Sequence, residues 1–194
     1  NRVWLGTEHG GVVMFDEQRK HFRRYNTSNT PGMHSDIVWT VSSTADGAIW
    51  FGTPFEGLHR LDVDGRVTRY MPRAGDPRSL PGVGVAQSIV TPDGSLWLGI
   101  KGNGVARWTG HDFERVPDRA LASPLINGFS VEGDGTLWIS TTRGVSVRRP
   151  DGSWAAAPWA DAGMPDTILH VLLRDRQGLY WFDVPQGLGR ENHG

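Results

Sequence analysis

The chain contains no cysteine, which excludes disulfide staples, thiolate nucleophiles and cysteine-ligated metals, while fitting an oxidising or a reducing compartment equally. No apolar stretch approaches the ~20 residues that a membrane-spanning helix needs, so direct insertion of this segment into a bilayer is not expected, and no signal peptide is present. Charge of one sign is also missing. The 20 Lys and Arg against 21 Asp and Glu leave a net charge of -1, so no broad field draws the chain to nucleic acid or to an anionic membrane. Helical periodicity is absent throughout. What is plentiful is Gly, at 26, with 12 Pro and 9 Trp among 194 residues, the composition of a turn-dense all-β chain.

One stretch occurs in five copies. Asp46 to Asp62 reads DGAIWFGTPFEGLHRLD, Asp93 to Trp108 reads DGSLWLGIKGNGVARW, Asp134 to Arg149 reads DGTLWISTTRGVSVRR, and Gln177 to Arg190 reads QGLYWFDVPQGLGR. The chain opens on a first copy, NRVWLGTEHGGVVMFD, without its Asp-Gly. The spacings between Trp4, Trp50, Trp97, Trp138 and Trp181 are 46, 47, 41 and 43 residues, a period that points to propeller blades. Within a copy, Asp-Gly tolerates the positive φ angles of a tight hairpin and precedes the Trp run. A Gly six or seven residues after each Trp (Gly11, Gly57, Gly104, Gly144, Gly187) marks the next turn, and Asp64-Gly65 or Asp151-Gly152 marks a third. A fourth run lies upstream of each Asp-Gly: Ile37 to Val41, Val85 to Val90, Ile126 to Val131, Ile168 to Leu173. One period therefore holds four strands.

A four-stranded sheet cannot bury both faces by itself, so neighbouring sheets must stack, and a large ring at a fixed place fills the gap. Burying an indole removes on the order of 150–250 Å² from water, an upper bound of roughly 4–6 kcal/mol per blade at ~25 cal/mol per Å². The expectation is an all-β β-propeller of four-stranded antiparallel blades, about five in this chain and essentially without helix. A partial blade covers 1–26, blades cover about 37–71, 84–116 and 125–154, and a partial blade covers 168–190. The first would lack its innermost strand and the last its outermost, which reads as an excerpt of a larger propeller with exposed edges that pair or aggregate when the piece stands alone.

These residues resemble the two-component regulator propeller repeat, whose pattern is similar to G-x-[LI]-W-[IL]-G-T-x-x-G-G-[LV]-x-[RK]-[FY]. Trp4 to Phe15 and Ile49 to Leu61 match it best, and His34-Ser35-Asp36-Ile37-Val38-Trp39-Thr40-Val41 is similar to the segment that leads into the next blade. Two copies depart from it: Ser140 replaces the Gly after Trp-Ile, and Phe182-Asp183 replaces Gly-Thr. The resemblance implies a ligand-sensing module on the periplasmic side of a bacterial membrane-bound signalling protein, preceding a membrane helix and a histidine kinase or diguanylate cyclase. It would have no catalytic residue of its own and could dimerise in the full-length protein. The alternative is a propeller lyase of the virginiamycin B lyase type, which shares a similar Trp-Gly repeat and uses a His with a divalent metal. The closer Trp-[ILF]-Gly-Thr signature favours the sensor.

Shorter motifs carry little chemistry. Gly99 to Gly104 has the glycines of a phosphate loop but no Gly-Lys-Ser/Thr and no helix start, and Asp62-Val63-Asp64-Gly65 begins like a calcium loop without its later oxygen ligands. Both read as hairpin turns. Asn26-Thr27-Ser28 is formally a glycosylation sequon, with meaning only in a eukaryotic secretory context. The seven His show no metal-ligand spacing, no Ser sits in a nucleophile elbow, and no cofactor motif stands out.

A candidate ligand site follows from the repeat. Aligning first strands on Asp-Gly, with a one-residue gap at Thr91-Pro92, makes Trp39, Gln87, Asn127 and His170 equivalent positions, and in a propeller the first strands line the central channel. The loops after the Trp strands add His9, Glu56, Lys101, Asn103 and Arg143 on the face where the inter-blade connectors arrive. One aromatic and several hydrogen-bonding groups around a concavity suit a small polar ligand such as a saccharide or peptide. The competing reading is that Gln87 and Asn127 merely satisfy backbone groups near the axis.

Overall fold

The computed structural model describes residues 2–156, 172–175, 179–184 and 187–191. Each repeat begins on the turn that Asp-Gly specifies. At Asp46-Gly47 the carboxylate accepts the Ala48 N–H (3.2 Å) and the Thr44 hydroxyl (2.5 Å), Thr44 N–H bonds the Ala48 carbonyl, and Gly47 takes φ +82°. Asp93 repeats this with Ser95 and Thr91, and the Thr hydroxyls, followed by the backbone donors, hold both carboxyls below their ordinary range. The same turn recurs at Asp134.

The turns join strands into five antiparallel meanders. The first holds β1 (Arg2–Gly6), β2 (Val12–Asp16) and β3 (His21–Tyr25), and the second β4 (Thr40–Ser43), β5 (Ile49–Gly52), β6 (Leu58–Leu61) and β7 (Val67–Tyr70). The third holds β8 (Val85–Val90), β9 (Leu96–Ile100), β10 (Gly104–Trp108) and β11 (Phe113–Arg115). The fourth holds β12 (Ile126–Val131), β13 (Leu137–Thr141), β14 (Gly144–Arg148) and β15 (Trp154–Ala156), and the fifth β16 (Leu172–Arg174), β17 (Tyr180–Val184) and β18 (Gly187–Glu191). The all-β expectation of four-stranded antiparallel blades holds, with one amendment: Asp118–Ala120 forms a single 3-10 turn, and the described residues contain no α-helix.

Why the Trp strands β5, β9 and β13 read as nearly continuous apolar runs is visible in the stacking, because both of their faces are buried. Trp50, Leu58 and Tyr70 on one face of the second blade pack against Leu96, Leu98, Ala106, Trp108 and Phe113 of the third. Trp97 and Val105 meet Leu137, Ile139 and Trp154 of the fourth in the same way, and Trp4, Val12 and Tyr25 meet Ile49, Phe51 and Leu61 of the second. Each of the first three blades thus lays its Trp face on the opposite face of the next. Three of the Trp-strand indoles find acceptors six residues upstream, Trp50 Nε1 on Thr44 Oγ1, Trp138 on Glu132 and Trp181 on Asp175, while the buried Trp97 Nε1 has no hydrogen-bond partner.

The departure at Ser140 has a local cause. Gly52 and Gly99 face Thr40 and Gln87 across the first strand pair, whereas Ser140 faces Gly128, so the small residue has moved to the partner strand. Ser140 is buried there and its hydroxyl donates to the Gly128 carbonyl at 3.2 Å.

Candidate functional site

Backbone bonds tie each turn after a Trp strand to the connector that follows its blade. Gly11 N–H donates to the Asp36 carbonyl (2.8 Å), Gly57 to Val83 (3.1 Å) and Gly104 to Pro124 (3.1 Å), each glycine at positive φ. The reverse stitch is Val38 N–H to Thr7 and Val85 N–H to Thr53. Val38 makes this stitch, Trp39 N–H already bonds the Gly52 carbonyl of its own blade at 2.9 Å, and β4 begins at Thr40 and not at Ile37. Thr7, Thr53 and Thr141 cap the turns, each hydroxyl donating to the carbonyl of the following Gly11, Gly57 or Gly144. Turns and connectors therefore share one face, and His9, Glu56, Lys101, Asn103 and Arg143 all stand on it.

Within that set, the structure brings two residues from different blades together. Trp39 is 44% exposed, the Lys101 ammonium lies 5.6 Å from its ring centroid, and the Lys101 backbone is anchored by its N–H donating to Gly84 O at 2.8 Å. Phe55, Val83 and Leu125 add exposed apolar surface on the same loops. Glu56 is already engaged in a charge-assisted pair with Arg69, whose Nε also bonds the Glu56 carbonyl. Asn103 packs against Gly82, and its amide reaches the Lys101 carbonyl only at 3.4 Å. His9 and Arg143 are exposed on their turns. His170 lies outside the described residues.

The expected equivalence of the first-strand positions needs correction. Thr44 and Thr91 occupy the same turn position, since Thr44 N–H bonds Ala48 and Thr91 N–H bonds Ser95, so no gap belongs at Thr91-Pro92. Gln87 consequently matches Thr40 and Gly128, opposite Gly99, Gly52 and Ser140, while Trp39 matches Ala86 and Asn127. Ala86 and Asn127 are the extra residues of two bulges, between Val85 and Gln87 and between Ile126 and Gly128. Neighbouring first strands do lie side by side, with Ser88 Oγ 2.7 Å from both Thr40 Oγ1 and Ser42 Oγ. The Asn127 amide nitrogen is buried without a protein hydrogen-bond partner.

A polar residue that the repeat does not announce is His59, on β6. It has no exposed surface, neither ring nitrogen has a partner, its ring stacks on Phe51 (5.0 Å, 8°), and the His34 ring lies 5.9 Å away. Burial first, then the neighbouring His34 and Arg69 charges, push its pKa down to about 3. The only sequence signal is that Val13, Ala106 and Ser146 fill the same register position in other blades. Among the described residues no three His, Asp or Glu side chains gather as a metal site, and no helix is long and apolar enough to cross a membrane.

No family model matches the chain, and no curated protein matches it in sequence. Solved structures do share its fold. The extracellular domain of BT3049 from B. thetaiotaomicron, described as a hybrid two component system, superposes with a TM-score of 0.78 at 20% identity over 100% of this chain and 27% of that one. The extracellular domain of BT4673 from the same organism, described as a one component system, gives 0.74 at 16% identity over 100% and 26%. Virginiamycin B lyase from Staphylococcus aureus gives 0.66 at 14% identity over 99% and 66%. This chain spans about a quarter of the length of the two B. thetaiotaomicron domains, and the likeness is one of fold: a β-propeller segment.

Proposed function

We propose that this chain is a ligand-sensing propeller segment of an extracytoplasmic signalling domain, with no turnover of its own. The observation that carries the reading is the exposed Trp39 ring with the Lys101 ammonium over it, on the face where turns and connectors meet. An exposed indole flanked by a cation and by amide and carboxylate groups offers a stacking platform with polar handles, which suits a saccharide or a short peptide. Gln87 and Asn127 on the first strands, and His9, Glu56, Asn103 and Arg143 on the loops, complete the proposed lining, to which the sequence repeat adds His170. The unpartnered Asn127 amide supplies a donor in search of an acceptor. The extracellular domains of two component and one component systems among the fold neighbours support both the sensor role and the extracytoplasmic location. A bound ligand would favour one arrangement of neighbouring blades and pass it to an output domain by population shift.

A panel of oligosaccharides and peptides screened by thermal shift and titration calorimetry tests this. Trp39→Ala is expected to weaken a binder about 5- to 30-fold, the ~1–2 kcal/mol of an aromatic or cation–π contact, without lowering Tm, because the ring is already half in water. Binding that survives Trp39→Ala unchanged, or a ligand that is chemically converted on incubation, overturns the reading, the second outcome in favour of a lyase.

A further inference from the structure

Among the described residues, the interfaces of the first blade with the second, the second with the third and the third with the fourth have one composition, and one face of the first blade matches half of it with no described residue upon it. On β1 and β3, Val3, Leu5 and Phe22 are 49%, 50% and 63% exposed, and they share a face with the half-buried Phe15, whose ring lies 4.6 Å from that of Phe22. Their register equivalents in the third blade are Leu96, Leu98 and Phe113, all buried. The second and fourth blades agree, with Phe51 and Ile139 buried at the position of Leu5. What buries them each time is the preceding blade's Trp face: Trp4, Val12 and Tyr25 over the second blade, Trp50, Leu58 and Tyr70 over the third. The polar alternation expected of a solvated sheet face is missing here. Contiguous exposed apolar residues on one sheet face mark a contact surface.

We propose that the Val3, Leu5 and Phe22 face is the seat of a further blade of this same repeat, which lays a Trp, a Val or Leu and a Tyr upon it. The same unit supplies a first strand to the free inner edge of β1, as β4, β8 and β12 do for β5, β9 and β13. Side-chain identity favours this occupant over an unrelated partner, since the face repeats the apolar positions that already accept a Trp face three times in the molecule.

Splicing tests it in the full chain. Residues 37–94, the second repeat with its connector, next first strand and Asp-Gly turn, are joined ahead of Arg2, which keeps Trp4 in the register of Trp97. The expected result is a Tm higher by several degrees, and oxidative footprinting of Phe22 reduced to the level of the buried Phe113. Leu5→Lys with Phe22→Lys should abolish the gain in the extended protein while leaving the Tm of the unextended chain unchanged. Residues 84–135, joined the same way, provide an independent second occupant. Phe22 left fully labelled in both extended proteins, or a gain that persists in the lysine variant, overturns the proposal. Self-association of the unextended chain that the two lysines abolish assigns the face to a second copy and overturns it too.

Discussion

Acidifying the protein from neutral pH to about pH 4.5 is expected to remove roughly 3 kcal/mol of stability through His59 alone. The buried, unpartnered imidazole has its pKa pushed from 6.5 to about 3 by burial and by the His34 and Arg69 charges beside it. In the unfolded chain the same group takes up a proton near 6.5, so the unfolded state binds more protons wherever the pH lies between the two values. The stability associated with neutral His59 is therefore complete above about pH 6.5 and falls by ~1.4 kcal/mol per pH unit below it. The decline levels off only as the folded protein itself protonates near 3. The turn carboxylates fail in a different window, since Asp46 and Asp93 lie below 3.8 in the folded state and lose their contribution only at lower pH. Urea unfolding at neutral pH and at about pH 4.5 separates the two effects.

His59→Leu is the matched variant. It removes two buried nitrogens that bond to nothing, each of the kind that costs about 1–3 kcal/mol, and keeps an apolar body against Phe51. The variant is expected to be more stable than the parent at neutral pH and to show no stability change down to about pH 4.5. A parent protein insensitive to this acidification, or a variant with the same acid slope, would show that the imidazole reaches solvent.

How much of this was legible in the sequence divides along a physical line. The Trp positions, the Asp-Gly turns and the glycines after each Trp strand could be read because the same steric and packing demand acts at every repeat. Register within the first strands could not. The bulges at Ala86 and Asn127 add a residue to the backbone without changing side-chain character, and an alignment on residue types absorbs them by inventing a gap at Thr91-Pro92. Ser140 looked like a lost glycine because its compensation, Gly128, sits across the sheet and 12 residues away. His59 is an ordinary polar letter until Phe51, Arg69 and His34 close around it from three other segments. Of the candidate site, the loop-face membership followed from the repeat. The Trp39 and Lys101 contact did not, because it joins the second blade to the third.

Replacing Gly57 with Ala is expected to cost at least ~3 kcal/mol, well beyond the ~1–2 kcal/mol that a left-handed backbone alone imposes on an L-residue. At φ +75° a Cβ there would lie 2.2 Å from the Tyr70 carbonyl oxygen and 2.7 Å from Met71 Sδ. The thioether can swing away. The carbonyl belongs to the end of β7, so relief must come from the Gly57 turn itself, whose N–H holds the connector at Val83. Gly65→Ala is the control, because its φ of +89° is equally unfavourable while nothing lies within 4 Å of the added carbon. Gly52→Ala isolates the other term: its φ is ordinary, yet the Cβ would meet the Val85 carbonyl at 2.5 Å, the contact through which the second blade meets the third. Denaturant unfolding of the three variants should rank Gly57→Ala as the most damaging, Gly52→Ala between, and Gly65→Ala near ~1 kcal/mol. Equal losses at Gly57 and Gly65 would mean that backbone conformation, and not the close approach of neighbouring strands and blades, fixes glycine at these positions.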